Sequence, residues 1–436
     1  MDSFAVLSCH LVSAVSHRFP VIALSRFLRR WPLALAATLL SAAAAPSFYG
    51  TRFEHQPDAA TLTDLGRVLF FDRSLSASGR MACASCHDPA HAYGPPNGLS
   101  AQKGGPHLDQ VGLRPPPSLM YRAATPSFSE HYQESEGDDS IDNGPTGGFT
   151  WDGRAASVHD QAALPLLAAN EMANANPAEV ITRLARSSSA APFQAAFGPH
   201  VLAQPELAWK GLLLALEVFQ QHPPTFSPYS SKYDAFLRGQ VQLSPAEHRG
   251  FEAFNDPARG NCASCHISAI KRGTWPRFTD DGLIALGVPR NRSLPANADP
   301  AFFDLGLCGP LRTDLKDHPE YCGLFKTPSL RNVATRQAFF HNGVYHRLDE
   351  AVRFYTLRDT QPQKLYRDAH GRPQRVPDDL PAAYVGNLNR DAPFGQKPGD
   401  KPRLSEAEVQ DIVAFLKTLS DGYVLPKAAP KSVAAR

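Results

Sequence analysis

Two short motifs of cysteine and histidine restrict this chain more than any other feature of its sequence. Residues 83–87 read Cys-Ala-Ser-Cys-His, and residues 262–266 repeat the same five residues. In such a motif two thiols can add to the two vinyl groups of one haem, and the imidazole that follows can ligate its iron. The pattern therefore predicts two covalently bound haem c groups, held by four cysteines and two proximal histidines: Cys83, Cys86, Cys262, Cys265, His87 and His266.

A redox-active dithiol or a zinc site is the alternative interpretation of a C-x-x-C pair. A single pair would leave that alternative open. Two pairs, each followed directly by histidine and each in its own half of the chain, favour haem attachment.

Three cysteines lie outside these motifs. Cys9 falls in the N-terminal leader, while Cys308 and Cys322 close a short loop. In an oxidising compartment such a pair is expected to form a disulfide that stabilises the fold by about 3 kcal/mol. Two free buried thiols are the alternative.

The first 45 residues have the order of segments found in a secretory signal peptide. Arg26, Arg29 and Arg30 precede an apolar run at 31–40, and small residues follow it. We expect cleavage near Ala44 and export to the periplasm. The apolar run is shorter than the roughly 20 residues that span a bilayer, which favours removal over a retained anchor. No later segment is long and apolar enough for a membrane helix, so we expect no integral membrane segment after processing.

Composition is typical of a globular protein with more than one domain. The chain has 436 residues, of which 43% are hydrophobic and 20% charged. Its formal net charge of +2 gives no electrostatic support for binding to nucleic acid or to an anionic membrane. The 39 prolines predict short helices and long irregular connections.

Each haem motif follows a helical pattern, and each half of the chain ends with another. Apolar residues recur at helical spacing over 62–70, and a capping box at 244–247 begins the helix before the second motif. Residues 207–221 and a capping box at 405–408 predict the closing helices. We therefore predict a mainly α fold with long irregular loops and two cytochrome c-like haem domains, joined by a proline-rich linker near 223–228. The predicted domains are 46–225 and 226–436.

The distal ligand of each iron decides what that iron can do, because only an open position binds peroxide. Methionine, the usual distal ligand of an electron-transfer haem c, does not occur after the second motif. The second iron must then be ligated by histidine, tyrosine, lysine or water, or by a methionine from the first half. The candidates in the last third of the chain are His318, His341, Tyr345, His346 and Tyr355.

Several further segments resemble the bacterial di-haem cytochrome c peroxidase and MauG superfamily. They are the stretches 149–155, 325–332 and 340–343, together with Gln161, Pro165, Glu171 and Met172. They occur in the family's order, and the resemblance extends from about residue 60 to about residue 420.

The resemblance implies a role for each matching residue. His87 would hold the peroxidatic haem and His266 the second haem. Glu171 would be the distal acid that moves the peroxide proton, with Gln161 and Pro165 lining the same pocket. Trp151 would lie between the two haems as an electron relay.

The resemblance also suggests a distal ligand for the second haem. Ordinary peroxidases of the family have methionine at the end of a helix that matches residues 348–355, whereas the MauG branch has tyrosine there. This chain has Tyr355. The run Tyr355-Thr356-Leu357-Arg358 looks like the MauG branch. The resemblance would then imply a phenolate ligand, which stabilises high-valent iron.

Two family features are left open by the sequence. His107 lies in a glycine-rich stretch comparable to the loop that caps the first iron in ordinary peroxidases; a solvated loop histidine is the alternative. A bound calcium ion is the other feature. Its expected asparagine is replaced by Pro115, so a site would have to rely on backbone carbonyls near Arg336 and Ala338.

Together these observations predict a periplasmic di-haem enzyme of the MauG-like branch. Hydrogen peroxide would be its oxidant, and a redox protein or small molecule its electron donor. The alternatives are an ordinary cytochrome c peroxidase, supplied by a small cytochrome or copper protein, and a di-haem electron carrier without enzymatic activity.

Overall fold

The computed structural model describes residues 48–133 and 142–426. The expected signal peptide, its cleavage site and Cys9 therefore lie outside the described residues. Within these ranges the protein is mainly helical, as predicted. The α-helices are α1 Ala59–Phe70, α2 Val158–Leu167, α3 Pro177–Ala185, α4 Ala190–Phe197, α5 Pro205–Gln220, α6 Pro223–Phe226, α7 Lys232–Leu237, α8 Pro245–Asn255, α9 Leu348–Leu357 and α10 Glu406–Lys417.

Strands in the described ranges are short and pair as three antiparallel two-stranded sheets. They are β1 Lys103–Gly104 with β2 Gln110–Val111, β3 Leu283–Ala285 with β4 Leu324–Lys326, and β5 Tyr366–Arg367 with β6 Pro373–Gln374. In the second sheet Ile284 lies opposite Phe325. This pairing brings the 325–332 motif, which the sequence singled out, against the middle of the chain.

Two pairs of helices cross at glycine in the same way. Gly66 of α1 faces the backbone of α5, where an added Cβ would lie 2.0 Å from the carbonyl oxygen of Ala215. Gly250 of α8 faces α10, where a Cβ would lie 1.9 Å from the carbonyl oxygen of Asp411. Glycine is needed at both crossings because no other residue lets the backbones approach so closely. Each crossing supports the loop that carries one haem motif.

The predicted helix starts are confirmed. The side chains of Ser244 and Ser405 each accept a hydrogen bond from the backbone N–H three residues on. The carboxylates of Glu247 and Glu408 in turn accept hydrogen bonds from the backbone N–H groups of the two serines. The expected disulfide between Cys308 and Cys322 is also present.

Buried hydrophobic side chains form two main clusters. One draws its buried members from residues 53–226 and includes α1 and α5. The other draws its buried members from residues 233–419 and includes α8 and α10. Two of the prolines in the predicted linker, Pro223 and Pro224, begin α6, a single turn that ends at the buried Phe226. Proline is compatible with that position because the first N–H of a helix needs no partner.

No helix in the described part of the chain is long and apolar enough to cross a membrane.

Candidate di-haem site

The first proximal histidine is held by a backbone carbonyl. Cys83–Ser85 form a single 3₁₀ turn, after which the Nδ1–H of His87 donates to the carbonyl oxygen of Tyr93 at 3.0 Å. A carbonyl can only accept, so Nδ1 carries the proton and Nε2 keeps its lone pair for a metal. Burial lowers the pKa of His87 to about 4, which keeps the ring neutral.

The second motif repeats this arrangement. The Nδ1–H of His266 donates to the carbonyl oxygen of Phe278 at 2.9 Å, and burial lowers the pKa of this ring to about 4 as well. The four motif cysteines form no disulfide. Burial raises the pKa of Cys83, Cys86 and Cys262 to about 12 and that of Cys265 to about 11.

A cavity of about 260 Å³ extends from the second motif toward the first half of the chain. Around Cys262 and His266 its walls are apolar and include Val352, Ile412 and Leu416. Toward the first half the lining becomes basic and includes Arg122, Arg277, Lys326 and Arg336. An apolar chamber with a charged end suits a flat porphyrin with carboxylate groups at one edge.

The basic end has more positive than negative charge. Arg277 and Lys326 share one carboxylate, that of Asp281. Arg122 makes its hydrogen bond to the neutral amide of Gln161, at 3.3 Å. Burial lowers the pKa of Arg122 to about 10 and that of Lys326 to about 8.

Arg336 is the clearest sign of a missing anion. It donates to the carbonyl oxygens of Ala338 and Pro116, at 3.3 and 3.2 Å, yet its buried Nη2 has no hydrogen-bond partner among the described residues. Burial lowers its pKa to about 10. Buried cations require a counter-charge. The propionates of haem would supply it, so the residues that line the cavity fit a haem c group at the second motif.

The same contacts bear on the expected calcium ion. The carbonyl of Ala338, near which a site was expected, accepts a hydrogen bond of 3.3 Å from the Arg336 guanidinium. This guanidinium therefore competes with calcium for that carbonyl.

Tyr355 lies on the wall of the cavity beside the second motif. It projects from α9, and its ring lies 5.6 Å from that of Phe394 and 6.0 Å from that of Phe340. Burial raises its pKa, and the nearby Cys262 and Cys265 add to that shift. The phenol and the two thiols therefore face a common space.

The other candidates for the second iron lie in different surroundings. The imidazole of His318 pairs with the carboxylate of Glu320, and that of His346 hydrogen-bonds to the Gln337 carbonyl. Both contacts lie at the protein surface. His341 lines the cavity but stacks on Phe325 at 3.5 Å. Tyr345 packs in the aromatic cluster around Phe340.

Glu171 lies beside the first motif. Its carboxylate acts electrostatically on both Cys83 and Cys86. The side chain is exposed, while desolvation by the neighbouring protein raises its pKa, an effect that Arg154 opposes. The Glu171 carbonyl accepts a hydrogen bond of 2.8 Å from the N–H of Gly105.

Gln161 and Pro165 lie on α2, the helix that precedes Glu171. The carbonyl of Pro165 accepts the N–H of Met172 at 3.0 Å, which ties the Glu171 loop to this helix. His107 lies between β1 and β2, next to the same loop, and its side chain is exposed.

Trp151 is buried and lines the cavity. Its indole N–H donates to the carbonyl of Pro115 at 2.8 Å. The neighbouring Asp152 binds Arg114, which also forms a bidentate pair with Asp304 at 2.6 and 2.7 Å. The indole is therefore next in sequence to a residue of a buried network of ion pairs.

The sequence comparisons agree with this geometry. Residues 60–242 match a family model described as di-haem cytochrome c peroxidase. Over 405 residues the chain is 33% identical to the methylamine utilization protein MauG of Paracoccus denitrificans. This alignment covers 90% of the present chain and 96% of that protein. The chain belongs to the di-haem cytochrome c peroxidase and MauG family.

Similarity extends to both branches of the family. The cytochrome c551 peroxidase of Nitrosomonas europaea is 25% identical, over 84% of this chain and 81% of that protein. The crystal structure of the di-haem peroxidase BthA from Burkholderia thailandensis matches with 37% identity and a TM-score of 0.74, over 87% of this chain and 91% of that one. The protein is therefore a peroxidase-type oxidoreductase of this family.

Sequence reasoning missed the basic residues at the end of the cavity. Lys326 lay inside a motif that the sequence already indicated, and Arg336 lay near the expected calcium carbonyls. Arg122 and Arg277 had no local signal. Their significance arises only because distant segments bring four cations to the lining of one cavity, where two of them share the carboxylate of Asp281.

Proposed function

We propose that this protein is a periplasmic, MauG-like di-haem enzyme that reacts with hydrogen peroxide and oxidises an external donor. In this proposal the two oxidising equivalents are shared between the haems held by His87 and His266. The observation that carries the proposal is the position of Tyr355 on the cavity beside the second motif. No methionine follows that motif, so a thioether ligand would have to come from the other half of the chain.

Tyr355 would be the distal ligand of the second haem. An oxygen donor at this position stabilises oxidised iron better than a thioether does, which suits a centre that stores oxidising equivalents. Support comes from its shared space with Cys262 and Cys265. Bound haem supplies the iron at which the O–O bond of peroxide is broken.

Glu171 would move the proton of peroxide. A carboxylate beside an open haem face can accept the proton from the bound peroxide and return it to the departing oxygen. General acid–base catalysis of this kind contributes a rate factor of roughly 10²–10⁴. The raised pKa supports the role, since it makes the ionised carboxylate a stronger base toward peroxide.

The remaining residues would shape the pocket and link the two centres. Gln161 and Pro165 would line the peroxide side, with Gln161 oriented by its contact to Arg122. Trp151 would relay electrons between the centres. Its hydrogen bond to Pro115 holds the indole in one orientation.

The periplasm is the compartment that fits this chemistry. Cys308 and Cys322 form a disulfide, which persists in oxidising compartments and is rare in the cytosol. The sequence of the leader points the same way. We also propose that residues 46–225 and 226–436 act as the two haem domains, supported by the two hydrophobic clusters.

The test is spectroscopic. Optical and paramagnetic resonance spectra of the diferric protein should be recorded before and after one equivalent of hydrogen peroxide. We expect one high-spin haem that reacts without prior reduction, and a long-lived oxidised species. Tyr355→His should lose that species while both haems remain attached.

Tyr345→Phe is the matched control, because Tyr345 belongs to the same aromatic cluster without lining the cavity. It should behave as the wild type. If Tyr355→His stores oxidising equivalents as well as this control does, the MauG-like assignment fails. A requirement for half-reduction before any reaction with peroxide would favour the ordinary peroxidase.

A further inference from the structure

Three aromatic rings lead from the protein surface to the cavity. The indole of Trp275 lies 6.0 Å from the ring of Tyr229, and Tyr229 lies 4.9 Å from the ring of Tyr121. Tyr121 lines the cavity, whereas Trp275 is half-buried. Indole and phenol are the protein side chains that lose an electron most readily, so this series could carry charge.

Tyr121, the inner end of the series, lies between the two backbone carbonyls that accept hydrogen bonds from the proximal histidines. Leu119, two residues before Tyr121, donates its N–H to the Tyr93 carbonyl that also holds His87. On the other side, Arg277 donates to the Tyr121 carbonyl at 3.4 Å. The next residue, Phe278, has the carbonyl that holds His266.

The outer end has a positive surface. The exposed Arg238 stacks on the indole of Trp275 at 4.6 Å and donates to the Tyr229 carbonyl at 3.0 Å. Lys271, four residues before Trp275, is also exposed. A negatively charged donor would therefore be attracted to this end.

Tyr121 has a place for its proton. Its hydroxyl donates to both oxygens of the Asp421 carboxylate, at 2.7 and 2.9 Å. Ser230 and Asn332 hold that carboxylate in position. A phenol that loses an electron must also release its proton, and Asp421 can accept the proton and return it.

Positive charge near the rings opposes their oxidation, and the protein offsets that charge. Arg331 lies over Tyr121 and Tyr229 at 5.0 and 4.9 Å. It is fully buried in an ion pair with Asp234 at 2.8 Å. The pair lowers the net field that the two rings feel.

We propose that Trp275, Tyr229 and Tyr121 form a route by which an external donor passes electrons to the haem centres. The inference rests on the proposed function, which supplies the oxidant. Reduction of one hydrogen peroxide to two water molecules consumes two electrons and two protons. Two one-electron donors deliver the electrons singly at Trp275, and each oxidised ring is reduced by the next ring outward. Tyr121 exchanges its proton with Asp421, and the half-buried Tyr229 exchanges its proton with solvent. Solvent also supplies the two protons that enter water.

The experiment compares two rates in each variant. Stopped-flow absorbance measures the reaction with peroxide alone, and steady-state assays measure peroxide-dependent oxidation of ferrocyanide. Trp275→Phe and Tyr229→Phe keep an aromatic ring for packing but remove the easily oxidised group. We expect ferrocyanide oxidation to fall by about tenfold or more in both, with the peroxide reaction unchanged.

Trp209→Phe is the matched control, since Trp209 is also half-buried but packs on the first hydrophobic cluster. It should keep both rates. If Trp275→Phe and Tyr229→Phe oxidise ferrocyanide as fast as this control while peroxide is consumed normally, the route is wrong. A wild type that does not react with peroxide overturns the proposed function, and the route with it.

Discussion

The hairpin that contacts Glu171 allows a sharp test of how this residue is positioned. Gly104 of β1 packs directly on the chain before Glu171. A Cβ at residue 104 would lie 2.3 Å from the carbonyl oxygen of Asn170 and 2.8 Å from the Cα of Glu171. Gly104→Ala must therefore move backbone rather than a flexible side chain.

The expected effect follows from these distances. Contacts of a Cβ atom shorter than 3.0 Å do not occur, so the two segments must separate. A separation of about 0.7 Å would weaken the 2.8 Å hydrogen bond from Gly105 to Glu171 and displace the carboxylate. Misplacement of a catalytic group by nearly 1 Å costs on the order of 10- to 100-fold in rate. We expect that loss in the peroxide reaction.

The assay is stopped-flow reaction of the diferric protein with peroxide. Gly98→Ala is the matched control, because a Cβ there would meet nothing closer than 3.5 Å. Gly104→Ala should cause no further loss when Glu171 is already replaced by Gln, since both changes act on one group. A Gly104→Ala rate within about threefold of Gly98→Ala would refute the reasoning about misplacement.

Three further predictions concern charge. Asp304→Asn leaves the buried Arg114 without its bidentate partner and should lower the free energy of unfolding, measured in denaturant, by about 3 kcal/mol. This value is at the low end for a broken buried ion pair because the carboxylate of Asp152 still binds Arg114. If the peroxide reaction needs ionised Glu171, its rate should rise through a pKa above the ordinary value of 4.5. Arg154→Leu should move that limb of the pH profile to still higher pH, since the arginine lowers the pKa; an unmoved limb would assign the titration to another group. Treatment with EGTA should leave the spectra and the peroxide reaction unchanged, because a guanidinium already occupies the expected calcium carbonyl; a loss reversed by added calcium would contradict this.

Much of the fold could be predicted because its signals are local. The capping boxes that begin α8 and α10 act within one helical turn, and both helices begin where the sequence indicated. The proline-rich segment near 223–228 shows what such signals leave out. Proline is compatible with the first position of a helical turn, and α6 forms there. The sequence did not indicate that Phe226 packs into the first hydrophobic cluster, because that contact joins residues far apart in the chain.

The amino-acid sequence by itself determined where two haems can attach, because each attachment motif is contiguous and its chemistry needs only five neighbouring residues. It also determined that the second iron has no local methionine. Tertiary structure alone decided which groups face the attached cofactors. It turned Tyr355 toward the second motif, brought Arg277 and Lys326 to the carboxylate of Asp281, and set Arg336 on the Ala338 carbonyl. Electrostatic pairing acts through space, so residues far apart in the chain acquire these roles only when the fold brings them together.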